Sequence, residues 1–456
     1  MALQIINPAT DAVLGELETD TPTSILTKFE NARAQQPAWA ARPFAERSRI
    51  ISRFKTLVMA QASKLAKTLT AEVGKPIAQS RNEIAGLLGR IDFFLAETER
   101  LLAKKTVHAE EGLSEQISWG PLGVIVNISA WNYPYFVGGN VFIPALLTGN
   151  AVLYKPSELA SLTGLEIARL LHEAGVPEAI FSTVIGDGAV GSELLDLPVN
   201  GVFFTGSHGT GVKIAKKAAE RLIKVQLELG GKDPVYVAED ANVETAAPGI
   251  ADGAFYNSGQ SCCSVERIYV HAKIWDRFLA LFEQTVRGFR LGDPTHPETY
   301  IGPMTRRSSQ LEFLEVQIAD AKEKGATVLL GGKRADHPGH FFEPTVLVNV
   351  THEMSVMRDE SFGPIIGLMK VEDDAEALTL MNDTAYGLTA SVYSASEERA
   401  RSILGALEVG TAYWNCCDRV SPRLPWSGQR NSGIGCTLST LGIEAFLAPK
   451  AWHLRQ

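Results

Sequence analysis

Cys262, in Gly259-Gln-Ser-Cys262, and Glu228, in Leu227-Glu-Leu-Gly-Gly-Lys232, are the residues whose types and setting carry the clearest chemistry. A sulfur nucleophile attacks an electrophilic carbon, and a carboxylate then activates water to release the acyl group as an acid. An unperturbed thiol has a pKa of about 8.5, so only a few per cent is thiolate at neutral pH unless its surroundings help. Gly259 and Ser261 on either side of Gln260 predict a turn that presents Cys262 at the mouth of a site, with a strand at 268–271 behind it. Alone, either motif reads more readily as something bland, the cysteines as small buried hydrophobes and Glu228 as a surface charge. Together with the motifs below they describe a site.

The elements that must position these groups fall into three stretches. Residues 21–102 are predicted helical, with Ile50, Ile51, Phe54, Leu57, Val58 and Leu65 recurring at steps of three and four along one face. Polar alternation over 104–119 predicts an extended hairpin. From Gly123 the pattern becomes strand, loop, helix, with apolar runs at 124–128, 151–154, 182–185, 202–204 and 225–227 and helical stretches at 162–174 and 209–222. This predicts a parallel sheet covered on both faces, whose ligands sit at the carboxyl ends of the strands. The residues there are Trp131-Asn132, Lys155-Pro-Ser-Glu158, Gly186-Asp-Gly188 and Thr205-Gly-Ser207. A second α/β series follows Pro234, and residues 446–454 form a terminal strand that needs a partner.

Composition bounds the function. A chain of 456 residues with 45% hydrophobic content fills two or three cores, and 43 basic against 52 acidic residues, net −9, argue against nucleic acid or an anionic membrane as partner. The start has no cationic region followed by an apolar one, and no long apolar stretch occurs, which predicts a cytoplasmic protein. Five cysteines, two pairs of them adjacent, predict neither a disulfide framework nor a metal site.

The ordered set Ser129-Ala-Trp-Asn-Tyr-Pro134, Lys155-Pro-Ser-Glu158, Phe204-Thr-Gly-Ser207, Leu227-Glu-Leu-Gly-Gly-Lys232, Gly259-Gln-Ser-Cys262 and Glu360-Ser-Phe-Gly-Pro364 resembles that of the aldehyde dehydrogenase superfamily, hydrolytic and non-acylating type, over nearly the whole chain. The resemblance implies an α/β fold: a Rossmann-type cofactor domain (1–103 and 120–228), a catalytic domain (229–435) and a small β oligomerisation element (104–119 and 436–456). It implies NAD(P)-dependent oxidation of a small-molecule aldehyde to an acid, in a homodimer or homotetramer. Cys262 resembles the nucleophile, Asn132 the oxyanion donor and Glu228 the general base. Trp131, Lys155, Ser157, Glu158, Gly206, Ser207, Leu229, Glu360 and Phe362 resemble cofactor-binding residues. Gly188 joins them, although its G-x-G-x-x-G setting is weak. A carboxylate at Glu158 accepts from the ribose hydroxyls and repels a 2′-phosphate, so NAD is expected over NADP. Ser157 and Glu158 also read as an ordinary helix start, with Ser157 the cap.

An aldehyde tunnel is expected from Tyr133, Val137, Asn140, Ser261, Val420 and Trp426. The chain departs from the family pattern in three places. Ala130 stands where proline is common, Cys436-Thr437 replaces the usual Arg-Glu and with it any relay role of that glutamate, and Asn140 and Tyr256 stand where relatives acting on succinic semialdehyde carry arginine. Arg419 and Arg423 remain as receivers of an anionic tail or as surface charges. The alternatives are transfer of the acyl group to coenzyme A, which a carboxylate at Glu228 disfavours, and a non-catalytic NAD-binding homologue.

Overall fold

Two largely parallel sheets face each other across a four-residue joint, Leu229 to Lys232, in the computed structural model, which describes residues 2–455. The first sheet runs in spatial order Gly433–Ile434, Lys224–Glu228, Gly201–Thr205, Val124–Ile128, Ala151–Lys155 and Phe181–Thr183. All neighbours are parallel except Gly433–Ile434, which pairs antiparallel with Lys224–Glu228, setting Gly433 opposite Glu228. The chain leaves Val124–Ile128 in one direction and returns on its other side through Gly201–Thr205. The crevice for a ligand therefore opens between the carboxyl ends of these two strands.

The second sheet has the order Thr327–Leu330, Thr345–Val348, Ile365–Val371, Val265–His271, Asp233–Val237, Thr389–Tyr393 and Thr411–Trp414, with only the first pair antiparallel. Alternate residues feed opposite cores: Tyr236 and Tyr269 enter one apolar cluster, while Val235, Val237, Ile268 and Val270 enter another. So short a joint turns the carboxyl edge of the first sheet toward the amino edge of the second. Glu228 thus ends one strand within reach of the turn that precedes Val265–His271.

The helical region is three helices, Pro22–Ala40, Phe44–Val73 and Ile77–Leu102, rather than one run. Pro43 and Pro76 precede the second and third, and Gly74 ends the second at φ 78°. The expected face, Ile50, Ile51, Phe54, Val58 and Leu65, is buried. An N-terminal hairpin, Ala2–Ile6 with Val13–Glu18, was not legible in the sequence: its strands are short and mostly exposed, and the sheet is two-stranded. The polar hairpin is Lys105–Glu110 with Leu113–Pro121, and the terminal strand Leu447–Arg455 lies antiparallel along Leu113–Pro121 at the edge of this three-stranded sheet. Among the described residues no helix is long and apolar enough to cross a membrane.

Candidate active site

Residues 256–264 hold the candidate nucleophile by backbone geometry. Asn257, Ser258 and Gly259 take positive φ in succession, at 53°, 57° and 69°. Gly259 must be glycine, since a Cβ there would lie 2.2 Å from the Gly363 carbonyl oxygen. The Gln260 side chain locks the turn, donating to the Asn257 and Pro303 carbonyls and accepting from Thr305 N at 3.0 Å. Asn132 Nδ2 donates to the Gln260 carbonyl at 3.2 Å, which ties the loop after Val124–Ile128 to the turn carrying Cys262. Cys262 is partly exposed, whereas Cys263 is buried and its thiol donates to Asp418 Oδ1 at 3.0 Å. A bond from Cys262, burial and the Asp418 charge push the Cys263 thiol well up, which keeps Cys263 in its protonated, unreactive form.

Glu228 closes the strand Lys224–Glu228 and is buried. Thr437 Oγ1 donates to its Oε1, and Thr205 Oγ1 to its Oε2 at 3.3 Å. Burial pushes its pKa up to about 7, against these bonds and the pull of the Arg90 guanidinium, so the carboxyl is divided between acid and base near neutrality. Thr437 is set by a reciprocal backbone pairing with Trp426 at 2.8 and 2.9 Å. A hydroxyl therefore stands on the Glu228 carboxyl, from the position where glutamate was expected.

The glycine pair after Glu228 permits close approach. A Cβ on Gly230 would meet Glu360 Oε2 at 2.2 Å, and one on Gly231 would meet the Cys262 carbonyl oxygen at 2.8 Å. Glu360 accepts from Gly231 N at 3.1 Å, and burial raises it to about 8. The loop at 360–362 is anchored by a buried ion pair invisible in the motif reading. Lys232 Nζ contacts Glu266 Oε2 at 2.5 Å, and Glu266 accepts from Ser361 N and Phe362 N. A Glu-Arg pair inside the strand Val265–His271 was the available signal. Phe362 then meets Trp131 edge to face at 5.5 Å.

A single cleft of about 700 Å³ joins these groups. Cys262, Glu228 and Asn132 line it, as do Trp131, Leu229, Glu360 and Phe362. Its other end is lined by Lys155, Ser157, Glu158, Gly188, Gly206 and Ser207. Ser207 precedes the helix His208–Ala219, so free backbone N–H groups face the cleft, a setting that suits a pyrophosphate. Lys155 is buried and 3.9 Å from Glu158, whose side chain is 42% exposed. Ser157 accepts from Leu159 N and does not cap the following helix, Ser161–Ala174, whose cap position is Ala160.

The expected tunnel residues do not line this cleft. Val137, Asn140, Ser261 and Trp426 are buried, and Tyr133 and Val420 half-buried. Tyr133 and Asn132 are consecutive, and Ser261 precedes Cys262, so both adjoin the reacting centre from beyond the cleft. Arg419 is exposed and reaches Asp252 at 3.7 Å, and Arg423 is exposed.

Comparison with known proteins gives consistent results. The Aldehyde dehydrogenase family matches residues 1–452. A succinate-semialdehyde dehydrogenase [NADP(+)] of Deinococcus radiodurans is 33% identical, covering 98% of this chain and 93% of its own length. A betaine aldehyde dehydrogenase of Cereibacter sphaeroides is 34% identical over 99% of this chain and 93% of its own. Among solved structures, lactaldehyde dehydrogenase from Escherichia coli superposes with a TM-score of 0.96 at 32% identity, covering 100% of this chain and 96% of that one. An E. coli NADP dependent enzyme does so at 0.97 and 33%, covering 100% and 95%.

Proposed function

Because this chain belongs to the aldehyde dehydrogenase family, and so is an oxidoreductase that uses NAD(P) to oxidise aldehydes to carboxylic acids, we propose that Cys262, Asn132 and Glu228 divide that reaction among them. The Cys262 thiolate adds to the aldehyde carbon. Asn132 Nδ2, with the Cys262 backbone N–H, donates to the oxygen that becomes negative. Loss of one such donor costs about 100- to 1000-fold in rate. Glu360 and Phe362 would hold the nicotinamide end of a dinucleotide, which would supply the acceptor for the hydride of this carbon. Glu228 then takes a proton from water as its oxygen attacks the thioester, the C–S bond breaks, and the acid departs while the proton returns to sulfur.

The observation that carries this reading is the single cleft in which a base poised near neutrality, a partly exposed thiol and an amide donor meet the expected dinucleotide residues. The cleft fits the cofactor: a helix start at Ser207 suits the pyrophosphate, Glu158 the adenosine ribose, and Glu360 with Phe362 the nicotinamide end. Glu158 supports NAD over NADP. Tyr133, Val137, Asn140, Ser261, Val420 and Trp426 would border the aldehyde. Residues 1–103 with 120–228 would bind cofactor, 229–435 would catalyse, and the exposed edge strand Leu447–Arg455 supports a homodimer or homotetramer. Five free thiols support a reducing, cytoplasmic location.

Rapid mixing of Glu228→Gln with aldehyde and NAD tests the assignment. A burst of NADH about equal to the enzyme, followed by a stall, is expected, with Cys262→Ala silent. Steady turnover at the native rate in Glu228→Gln would overturn it, and a stall relieved only by coenzyme A in the native protein would replace water as acceptor.

A further inference from the structure

The helix Pro134–Leu147, which begins two residues after Asn132, has no cap of its own. Its cap position is Tyr133, whose side chain makes no cap bond, and Pro134 has no N–H to satisfy. The first free donor, Tyr135 N, is taken instead by Glu83 Oε1 at 2.9 Å, from the helix Ile77–Leu102. A carboxylate there meets both an unpaired N–H and the positive end of the helix dipole. The other Glu83 oxygen accepts from Lys75 Nζ, which lies 3.7 Å from the centre of the Tyr133 ring. Lys75 and Glu83 are each 1% exposed. The pair thus grips residues 133 and 135, directly after Asn132.

One turn earlier on the same helix, Gln79 holds the opposite wall. At a spacing of four, Gln79 and Glu83 share a face. Gln79 Oε1 accepts from Asn257 N at 2.9 Å, and its Nε2 donates to the Tyr300 carbonyl at 3.0 Å. Asn257 then bridges the walls, its Nδ2 donating to the Gln260 carbonyl at 3.0 Å and to the Asn132 carbonyl at 3.4 Å. Asn132 Nδ2 donates to that same Gln260 carbonyl. An amide nitrogen carries two hydrogens, so one is spent on this bond and only the second can meet an oxygen on the attacked carbon. Where that hydrogen points is set by the places of Asn132 and of the Gln260 carbonyl, and both are referred to the single turn from Gln79 to Glu83.

We infer that Glu83, with Lys75 and Gln79, aims the Asn132 amide at the oxygen of the attacked carbon. The inference rests on the role proposed above for Asn132 and adds the residues through which that role is kept. Lys75, Gln79 and Glu83 do not line the cleft, so they are positioning residues that act through Asn132 and the turn of Cys262. Stability alone does not call for such a pair, since replacing both partners of a buried ion pair with apolar side chains is often neutral. Apolar side chains cannot supply an acceptor for Tyr135 N, and a displacement near 1 Å at the reacting centre costs about 100-fold in rate.

The test measures kcat and KM with propanal and NAD, and alkylation of Cys262 by iodoacetamide. Lys75→Met with Glu83→Leu removes both charges together and leaves Tyr135 N without its acceptor. Its kcat should fall about 100-fold, with each KM within about twofold of native and Cys262 still alkylated. Lys75→Met with Glu83→Gln returns an acceptor and should recover about tenfold of that loss. In an Asn132→Ala background the Leu form should cost no more than about threefold further, because the amide that it misplaces is gone. Gln79→Met strands no charge and gives a second route should the first variant not fold: kcat should fall about tenfold alone and no further without Asn132. Losses that add in full to that of Asn132→Ala, equal kcat for the Leu and Gln forms, or native kcat in the Leu form or in Gln79→Met overturns the inference and leaves the reaction standing. Native kcat in Asn132→Ala itself overturns the role given to that amide, and the inference with it.

Discussion

The Thr437 hydroxyl donates to Glu228 Oε1, across a chain separation that the pairing of Gly433–Ile434 with Lys224–Glu228 closes. A donor on a carboxylate favours its ionised form, here against burial. Thr437→Val removes the donor and keeps the shape, so the Glu228 pKa rises further above about 7. Turnover limited by thioester hydrolysis should fall about tenfold at neutral pH, with the acidic limb of the pH–rate profile moving to higher pH. A profile that stays in place would detach Thr437 from the base.

Gly230→Ala and Gly231→Ala should separate two functions. The Cβ of the first meets the end of the Glu360 side chain, which can swing away, while that of the second meets both the buried Asp233 carboxyl at 2.7 Å and the Cys262 backbone carbonyl at 2.8 Å. Gly230→Ala should therefore raise KM for the dinucleotide about tenfold with Cys262 still reactive toward iodoacetamide. Gly231→Ala should cost at least about 100-fold in kcat and slow that alkylation, since a misplacement of the nucleophile near 1 Å has this effect.

Lys232 and Glu266 form a buried pair that holds Ser361 and Phe362. Removing one partner strands the other charge, at a cost of about 3–5 kcal/mol. Lys232→Met should lower Tm and weaken dinucleotide binding in titration, whereas the double change Lys232→Met with Glu266→Leu should recover much of the Tm but little of the binding, because Ser361 N and Phe362 N have then lost their acceptor.

Glu158→Ala removes the carboxylate that would meet a 2′-phosphate and leaves Lys155 and Lys213 lining the same end of the cleft. The ratio of kcat/KM for NADP over NAD should rise by about 10- to 100-fold. The half-exposed position of Glu158 limits the effect through screening by solvent.

Several buried acids have raised pKa values, Glu72 and Glu228 to about 7 and Asp233 and Glu360 to about 8, with burial the first cause in each. A folded-state value above the unfolded one means that the native state binds more protons. Their contribution is thus complete below about pH 4 and is lost as pH rises through 7 to 8. Tm should be lower at pH 9 than at pH 6 by about a few degrees. Asp233→Asn, which keeps an acceptor for Thr389, should reduce that difference.

The strands, most of the helices and the candidates Cys262, Glu228 and Asn132, which line one cleft, were legible because they are written locally. Alternation of apolar and polar residues reports one face of a strand or helix, and a glycine next to a carboxylate or a thiol reports a tight turn. By itself the sequence thus determined the α/β class, the order of the motifs and the chemistry available to Cys262, Glu228 and Asn132. Only the tertiary structure decided what surrounds them. Thr437 reaches Glu228, Glu266 holds Phe362, and Arg90 lies beside Asn140 and the reacting centre, each from a distant part of the chain. In one dimension these were a hydroxyl, an acid next to an arginine in a strand and a cation on an apolar helix face. Coulomb energy and hydrogen bonding depend on distance in space and on burial, and neither exists until the two sheets close on the joint at Leu229 to Lys232.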